Sequence, residues 1–157
     1  MLYEPDKILI DSKALEFGST QAILDMYPLV DREVIDIKDS EHQQTKSIAS
    51  LTQGKKTLYL KYYQGGPFKL CPGYSDEVLC CNYYVIDFVE NCPLECTYCI
   101  LQAFLNKPYI VFHVNVDEII DQTVTLIKKE PSRRFRVGTG EHSDSLALDG
   151  VFQVNGK

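Results

Sequence analysis

The sequence predicts an α/β protein with a parallel sheet, preceded by a small α/β lead-in. Three stretches carry that prediction. Tyr83 to Val89 is a near-continuous apolar run, as expected of a strand buried on both faces. Val116 to Lys129 repeats its apolar residues at helical spacing, and Arg133 to Val137 follows as a second strand. Strand, loop, helix and strand in this order form a βαβ unit, whose two strands run parallel. The expected organisation is a lead-in over residues 1–80 and the first part of a second region over residues 81–157.

Within the lead-in, Lys7 to Ile10 is a short strand, and Thr20 is placed to cap a helix through Met26 that Pro28 stops. Arg32 to Ile37 alternates with period two, the mark of a strand. Asp39 to Gln53 is polar without a period and reads as a loop with some helix. Thr57 to Tyr63, rich in aromatics, fits a strand broken by Gly65, Gly66 and Pro67. In the second region, Ile119, Ile120, Val124 and Ile127 form the helix stripe, with Val116 leading in. Asp117 and Glu118 in the first turn and Lys128 and Lys129 in the last match the helix dipole, and Pro131 ends the element.

The 157 residues carry a net charge of −6, with 45% hydrophobic and 24% charged residues, ordinary for a globular chain. An acidic balance argues against autonomous binding to DNA, which rests on Lys and Arg at phosphates. Lys55, Lys56, Lys61 and Lys69 are the candidates for a local basic groove and otherwise read as solvated surface charges. No apolar run reaches the roughly 18 residues that a membrane span needs. Met1 to Asp11 carries acidic residues where a secretory leader has a basic start, so a cytoplasmic address is expected.

Of six cysteines, Cys92, Cys96 and Cys99 lie within eight residues on the loop after the first long strand. In a chain with no export signal such cysteines read as thiols or metal ligands. Structural zinc and ordinary iron–sulfur clusters take four ligands. Three thiolates on one loop leave one iron of a [4Fe-4S] cluster without a protein ligand. A small molecule with an amine and a carboxylate can chelate that iron, and the methionine part of S-adenosylmethionine (SAM) carries both. The zinc alternative needs a fourth ligand from Cys71, Cys80, Cys81 or His113. Otherwise Cys71, Cys80 and Cys81 read as small buried residues, and His113 as a packed side chain. Tyr83, Tyr84 and Tyr109 are tyrosines that could face a pocket.

Cys-x-x-x-Cys-x-x-Cys, with Tyr98 just before the last cysteine, resembles the radical SAM signature. The segments Cys99 to Gln102, Lys107 to Ile110, Val114 to Ile120 and Phe135 to Asp149 are similar to the spore photoproduct lyase family. The resemblance implies that the second region starts a parallel partial (β/α) barrel of radical SAM type. It implies that Cys92, Cys96 and Cys99 hold a [4Fe-4S] cluster, with the Tyr98 backbone near the adenine of SAM. The turn Gly138-Thr139-Gly140-Glu141 then meets the SAM amino group, and Ser143 and Asp144 line the same pocket. An acidic turn suits an ammonium, since opposite charges pair strongly where water is partly excluded. The implied reaction is repair of a thymine–thymine crosslink in DNA through a 5′-deoxyadenosyl radical. Its implied partners are DNA and an electron donor such as a reductase, flavodoxin or ferredoxin.

Two departures accompany the resemblance. Lyases of this kind place a hydrogen-donating cysteine just ahead of the Ser-Asp pair, where this chain has Glu141 and His142. The catalytic donor is therefore unassigned, and a radical SAM enzyme with another substrate, or a zinc or iron–sulfur binding module, competes with the lyase reading. A six-unit barrel takes on the order of 180 residues, more than follow Cys99. An incomplete fragment is expected, with a helix from about Ser143 cut short and Val151 to Lys157 fitting no element.

Overall fold

A computed structural model describes residues 3–36, 53–66, 68–71, 83–105 and 107–152. The first strand, β1 (Lys7–Asp11), lies between β2 (Asp31–Ile35) and β3 (Thr57–Lys61), parallel to both. Helix α1 (Gly18–Met26) connects β1 to β2. On the far side of β3 come β7 (Ile110–His113), parallel, and β6 (Val89–Glu90), antiparallel to β7. The larger sheet is thus ordered β2-β1-β3-β7-β6 and draws strands from both sides of residue 80. A smaller sheet is ordered β4-β5-β8, from β4 (Lys69–Leu70), β5 (Tyr83–Ile86) and β8 (Arg136–Thr139). Strands β5 and β8 pair in parallel, as the βαβ pattern requires.

Alternation decides which way the strands face. Ile8, Ile10, Leu58, Leu60, Ile110 and Phe112 turn to one side, where Ile23 and Leu24 of α1 and Val116 and Ile119 of α3 (Val116–Lys129) cover them. Tyr59, Tyr109 and Val111 form a smaller cluster. Tyr59 and Tyr109 meet edge to face at 5.6 Å. Each such fully buried apolar side chain contributes about 1.5–3 kcal/mol.

Helix α3 has the predicted bounds. Its cap residue Asn115 makes no side-chain cap bond. Instead its side chain ties the chain leaving β3 to the helix, accepting from the Tyr63 amide at 2.9 Å and donating to the Tyr63 carbonyl and to Glu118. Within the predicted stripe Val124 is 40% exposed, and Thr123 is buried in its place.

Several boundaries differ from expectation, each for a local reason. Helix α1 begins at Gly18, and Thr20 is no cap: it is buried and donates to the Ala14 carbonyl. The strand expected over residues 57–63 ends at Lys61, where the Tyr62 and Tyr63 amides turn to Asp11 and Asn115. The strand expected from residue 133 begins at Arg136, because Arg133 closes a turn on the Glu130 carbonyl and reaches the Tyr84 hydroxyl. The apolar run from Tyr83 to Val89 is two strands in two sheets, with its bend at Asp87 and Phe88. Val151 and Phe152, expected to fit no element, lie in α4 (Asp149–Phe152). Val151 is 6% exposed and Phe152 stacks on Phe112 at 3.9 Å. Ile37, residues 39–52, Cys80, Cys81 and residues 153–157 lie outside the described residues. Among the described residues no helix is long and apolar enough to cross a membrane.

Candidate metal centre

The cysteine loop begins where β6 runs out, at Asn91, which has φ 70° and is 1% exposed. Asparagine tolerates this left-handed backbone better than other residues with a β-carbon. Its side-chain oxygen accepts from the Cys92 amide at 2.8 Å. Its side-chain nitrogen faces the carbonyls of Lys107, Pro108 and Tyr109 at 3.3–3.4 Å. Its own amide donates to the His142 carbonyl at 2.9 Å. One residue therefore joins the loop, the entry to β7 and the turn after β8.

Cys92 is buried, Cys96 and Cys99 are half-buried, and neither these three nor Cys71 is in a disulfide. The Cys99 amide donates to the Cys96 carbonyl at 3.0 Å, closing a turn that leads into α2 (Leu101–Phe104). Among the described residues, the set of three ligand atoms gathered within 4.8 Å is Asp87, Glu141 and His142, not the three sulfurs. Zinc–sulfur bonds of about 2.3 Å hold thiolates roughly 3.8 Å apart. A cubane instead gives each thiolate its own iron and spaces them more widely. His113 offers no free fourth ligand: it is 1% exposed, with Nδ1 2.8 Å from the Asp87 carbonyl and Nε2 3.4 Å from Glu90.

At the carboxyl ends of β5 and β8 the charged groups converge. Lys69 Nζ lies 3.0 Å from Asp87 and 2.8 Å from Glu141, and His142 Nδ1 lies 3.2 Å from Asp87. Burial disfavours the Lys69 charge, but its hydrogen bonds to Glu141 and Asp87 outweigh that and raise its pKa. The other Asp87 oxygen, Oδ1, is buried and accepts no hydrogen bond. Gly140 has φ +85°, and a β-carbon there would strike Ser143 and Ser145, so the turn needs glycine. The open face of Gly138 is covered by the Tyr83 hydroxyl, which leaves no room for a side chain.

Ser143 is 3% exposed. It lines a small pocket with Phe88, Val89, Thr139, Gly140 and Asp144. The Asp144 carboxylate also caps the Leu146 and Ala147 amides at 2.9 Å. Tyr98 is 89% exposed. Of the predicted site residues, the fold thus joins the cysteine loop to Glu141, Gly140 and Ser143 through Asn91 and His142. It covers Gly138 with protein and leaves Tyr98 on the surface.

Lys69 and Lys55, read from sequence as solvated, are corrected by the structure. Lys69 is half-exposed but bridges two carboxylates, and Lys55 is 9% exposed. Asp87 was hidden inside an apolar run, where its being the one charge before the bend was the available signal. Cys71 is half-buried, its amide bonded to the Tyr83 carbonyl at 2.8 Å.

Glu90, at the foot of the loop, pairs with Lys107 at 2.9 Å and with His113. Burial opposes its charge, yet the His113 hydrogen bond and the Lys107 ammonium prevail and hold its pKa well below the ordinary 4.5. A carboxyl depressed in the folded state stabilises above its unfolded pKa, and that contribution fades as pH falls toward the folded one. The Tm loss in Glu90→Gln is therefore expected to be full near neutral pH and to shrink below pH 4.5. An equal loss in strong acid contradicts this pairing.

A three-thiol loop leaving β6 and an acidic turn leaving β8, tied together through Asn91, define the class: an α/β protein with a cysteine-rich loop beside a charged turn. Residues 3–154 match the spore photoproduct lyase family, and the chain belongs to it. The spore photoproduct lyase of Bacillus subtilis is 28% identical over 153 residues, covering 94% of this chain and 42% of that protein. The spore photoproduct lyase of Clostridium acetobutylicum is 26% identical over 130 residues, 78% of this chain and 36% of that protein. The chain spans less than half the length of these curated relatives. A solved spore photoproduct lyase variant with bound AdoMet and dinucleoside spore photoproduct shares the fold, with TM-score 0.79 at 20% identity over 99% of this chain and 45% of that one. A spore photoproduct lyase complexed with dinucleoside spore photoproduct matches at TM-score 0.79 and 19% identity, with the same coverage.

Proposed function

We propose that this chain holds a [4Fe-4S] cluster through Cys92, Cys96 and Cys99 and binds SAM at the open iron, as part of a lyase that repairs a thymine–thymine crosslink in DNA. The observation that carries this reading is the Asn91 junction, which fixes the three-thiol loop against the Glu141 turn. The chemistry supplied by the bound pair is one-electron cleavage of SAM to a 5′-deoxyadenosyl radical.

The chain's own residues do the positioning. Cys92, Cys96 and Cys99 supply thiolates, and Asn91 sets the direction of Cys92. Asp87 and Glu141 present two carboxylates to an incoming ammonium, and the unpaired Asp87 Oδ1 suits such a donor. Ser143 lines the pocket with Asp144, Gly140 would let backbone approach the ligand, and the Tyr98 backbone would contact the adenine. The first part of the radical SAM core, expected over residues 81–157, supplies the β5–β8 pair, while β6 and β7 extend the sheet of the lead-in. DNA is the substrate, a reductase, flavodoxin or ferredoxin is the electron source, and the reducing cytoplasm keeps the thiols available.

A second reading keeps the cofactors and changes the substrate. It is favoured by Glu141, which stands at the expected donor position and is already paired with Lys69 at 2.8 Å. A carboxylate gives up a hydrogen atom far less readily than a thiol. Under either reading, protein reconstituted without oxygen and reduced converts SAM to 5′-deoxyadenosine. A filled, reducible cluster that leaves SAM intact overturns both. Conversion of a spore photoproduct dinucleoside back to two thymidines separates the first reading from the second.

A further inference from the structure

We propose that Lys55, from the lead-in, is a positioning residue that sets the charge environment of the cluster loop. The inference rests on the cluster reading above. Lys55 sits in the turn before β3, and its ammonium donates to the Leu94 carbonyl, between Cys92 and Cys96, at 2.8 Å. The turn is held on several sides. The Tyr3 hydroxyl donates to the Lys55 carbonyl at 2.7 Å, and the Asp6 amide donates to the Lys56 carbonyl at 2.7 Å. A β-carbon on Gly54 would collide with Pro108, whose carbonyl faces the Asn91 side chain. The same packing that orients Asn91 therefore orients Lys55.

The Lys55 residue as a whole is only 9% exposed. Among the described residues no carboxylate pairs with it. A buried charge of this kind is costly unless an opposite charge lies near. Three thiolates around a cubane are anionic in both oxidation states, and more so when reduced, and net charge is one of the terms that sets a cluster's potential. An ammonium against the loop favours the reduced, more anionic state. It raises the potential while its hydrogen bond holds the loop's shape.

The test compares wild type with Lys55→Met, Lys55→Gln and Lys55→Arg, each reconstituted without oxygen, by iron content, EPR-monitored redox titration and hydrogen exchange of the metal-free loop. Both neutral variants are expected to lower the reduced-to-oxidised ratio at a fixed poise by roughly tenfold, about 59 mV for a one-electron couple. Lys55→Arg stays near wild type, and Lys55→Met exchanges faster over residues 92–99. Neutral variants that assemble no cluster while Lys55→Arg does also support the inference. Unchanged potentials in the neutral variants, or loss of the cluster in Lys55→Arg as well, overturn it. Wild type that takes up no iron defeats the cluster reading itself, before any variant is compared.

Discussion

Cys96→Ala is expected to take up almost no iron under conditions in which the wild-type chain takes up about four per molecule, the content of one [4Fe-4S] cluster. Two thiolates cannot hold a cubane that already leaves one iron to an outside ligand. The fold itself should be little affected. Cys96 is half-buried, and the change to alanine removes a single sulfur atom, so the expected cost is about 1 kcal/mol. Iron analysis beside thermal unfolding of the metal-free proteins separates the two effects. Wild-type iron content in this variant would remove Cys96 from the site.

Asn91→Leu is expected to damage fold and loop together. The substitution deletes the acceptor of the Cys92 amide and the donor facing three carbonyls, all in a position 1% exposed. Leaving buried backbone groups unpaired costs about 1–3 kcal/mol for each such group. A branched side chain at φ 70° adds strain. These terms together give an expected loss of at least about 4 kcal/mol, read from denaturant unfolding of the metal-free protein. Asn91→Gly relieves the strain but not the lost hydrogen bonds, so it should fall between wild type and Asn91→Leu. Equal stability of all three proteins would show that this junction contributes nothing.

How much of this was legible in the sequence depended on what each residue had to signal. Helix α3 was read to the residue because its apolar stripe, its charged ends and Pro131 all agree. The parallel pairing of β5 with β8 followed from element order alone. Strand β7 was missed because Ile110, Val111, Phe112 and His113 are all buried. With no exposed face there is no alternation to find. Strands β4 and β6, of two residues each, are too short to show a period.

In the site, the cysteine loop announced itself by spacing, and the glycine at residue 140 by its place in a turn. Lys55, Lys69 and Asp87 did not, because a charge's partner lies far along the chain. Lys69 meets Glu141 and Lys55 meets Leu94 only once the two sheets are in place. Asn91, next to Cys92 in sequence, carries no local mark of its left-handed backbone.

The most direct test is EPR of the anaerobically reconstituted, reduced full chain, recorded before and after addition of SAM. A brown protein whose [4Fe-4S] signal changes shape on adding SAM is the predicted result, since the ligand must reach an iron that no side chain occupies. A colourless, zinc-loaded protein, or a cluster whose signal is indifferent to SAM, would contradict it.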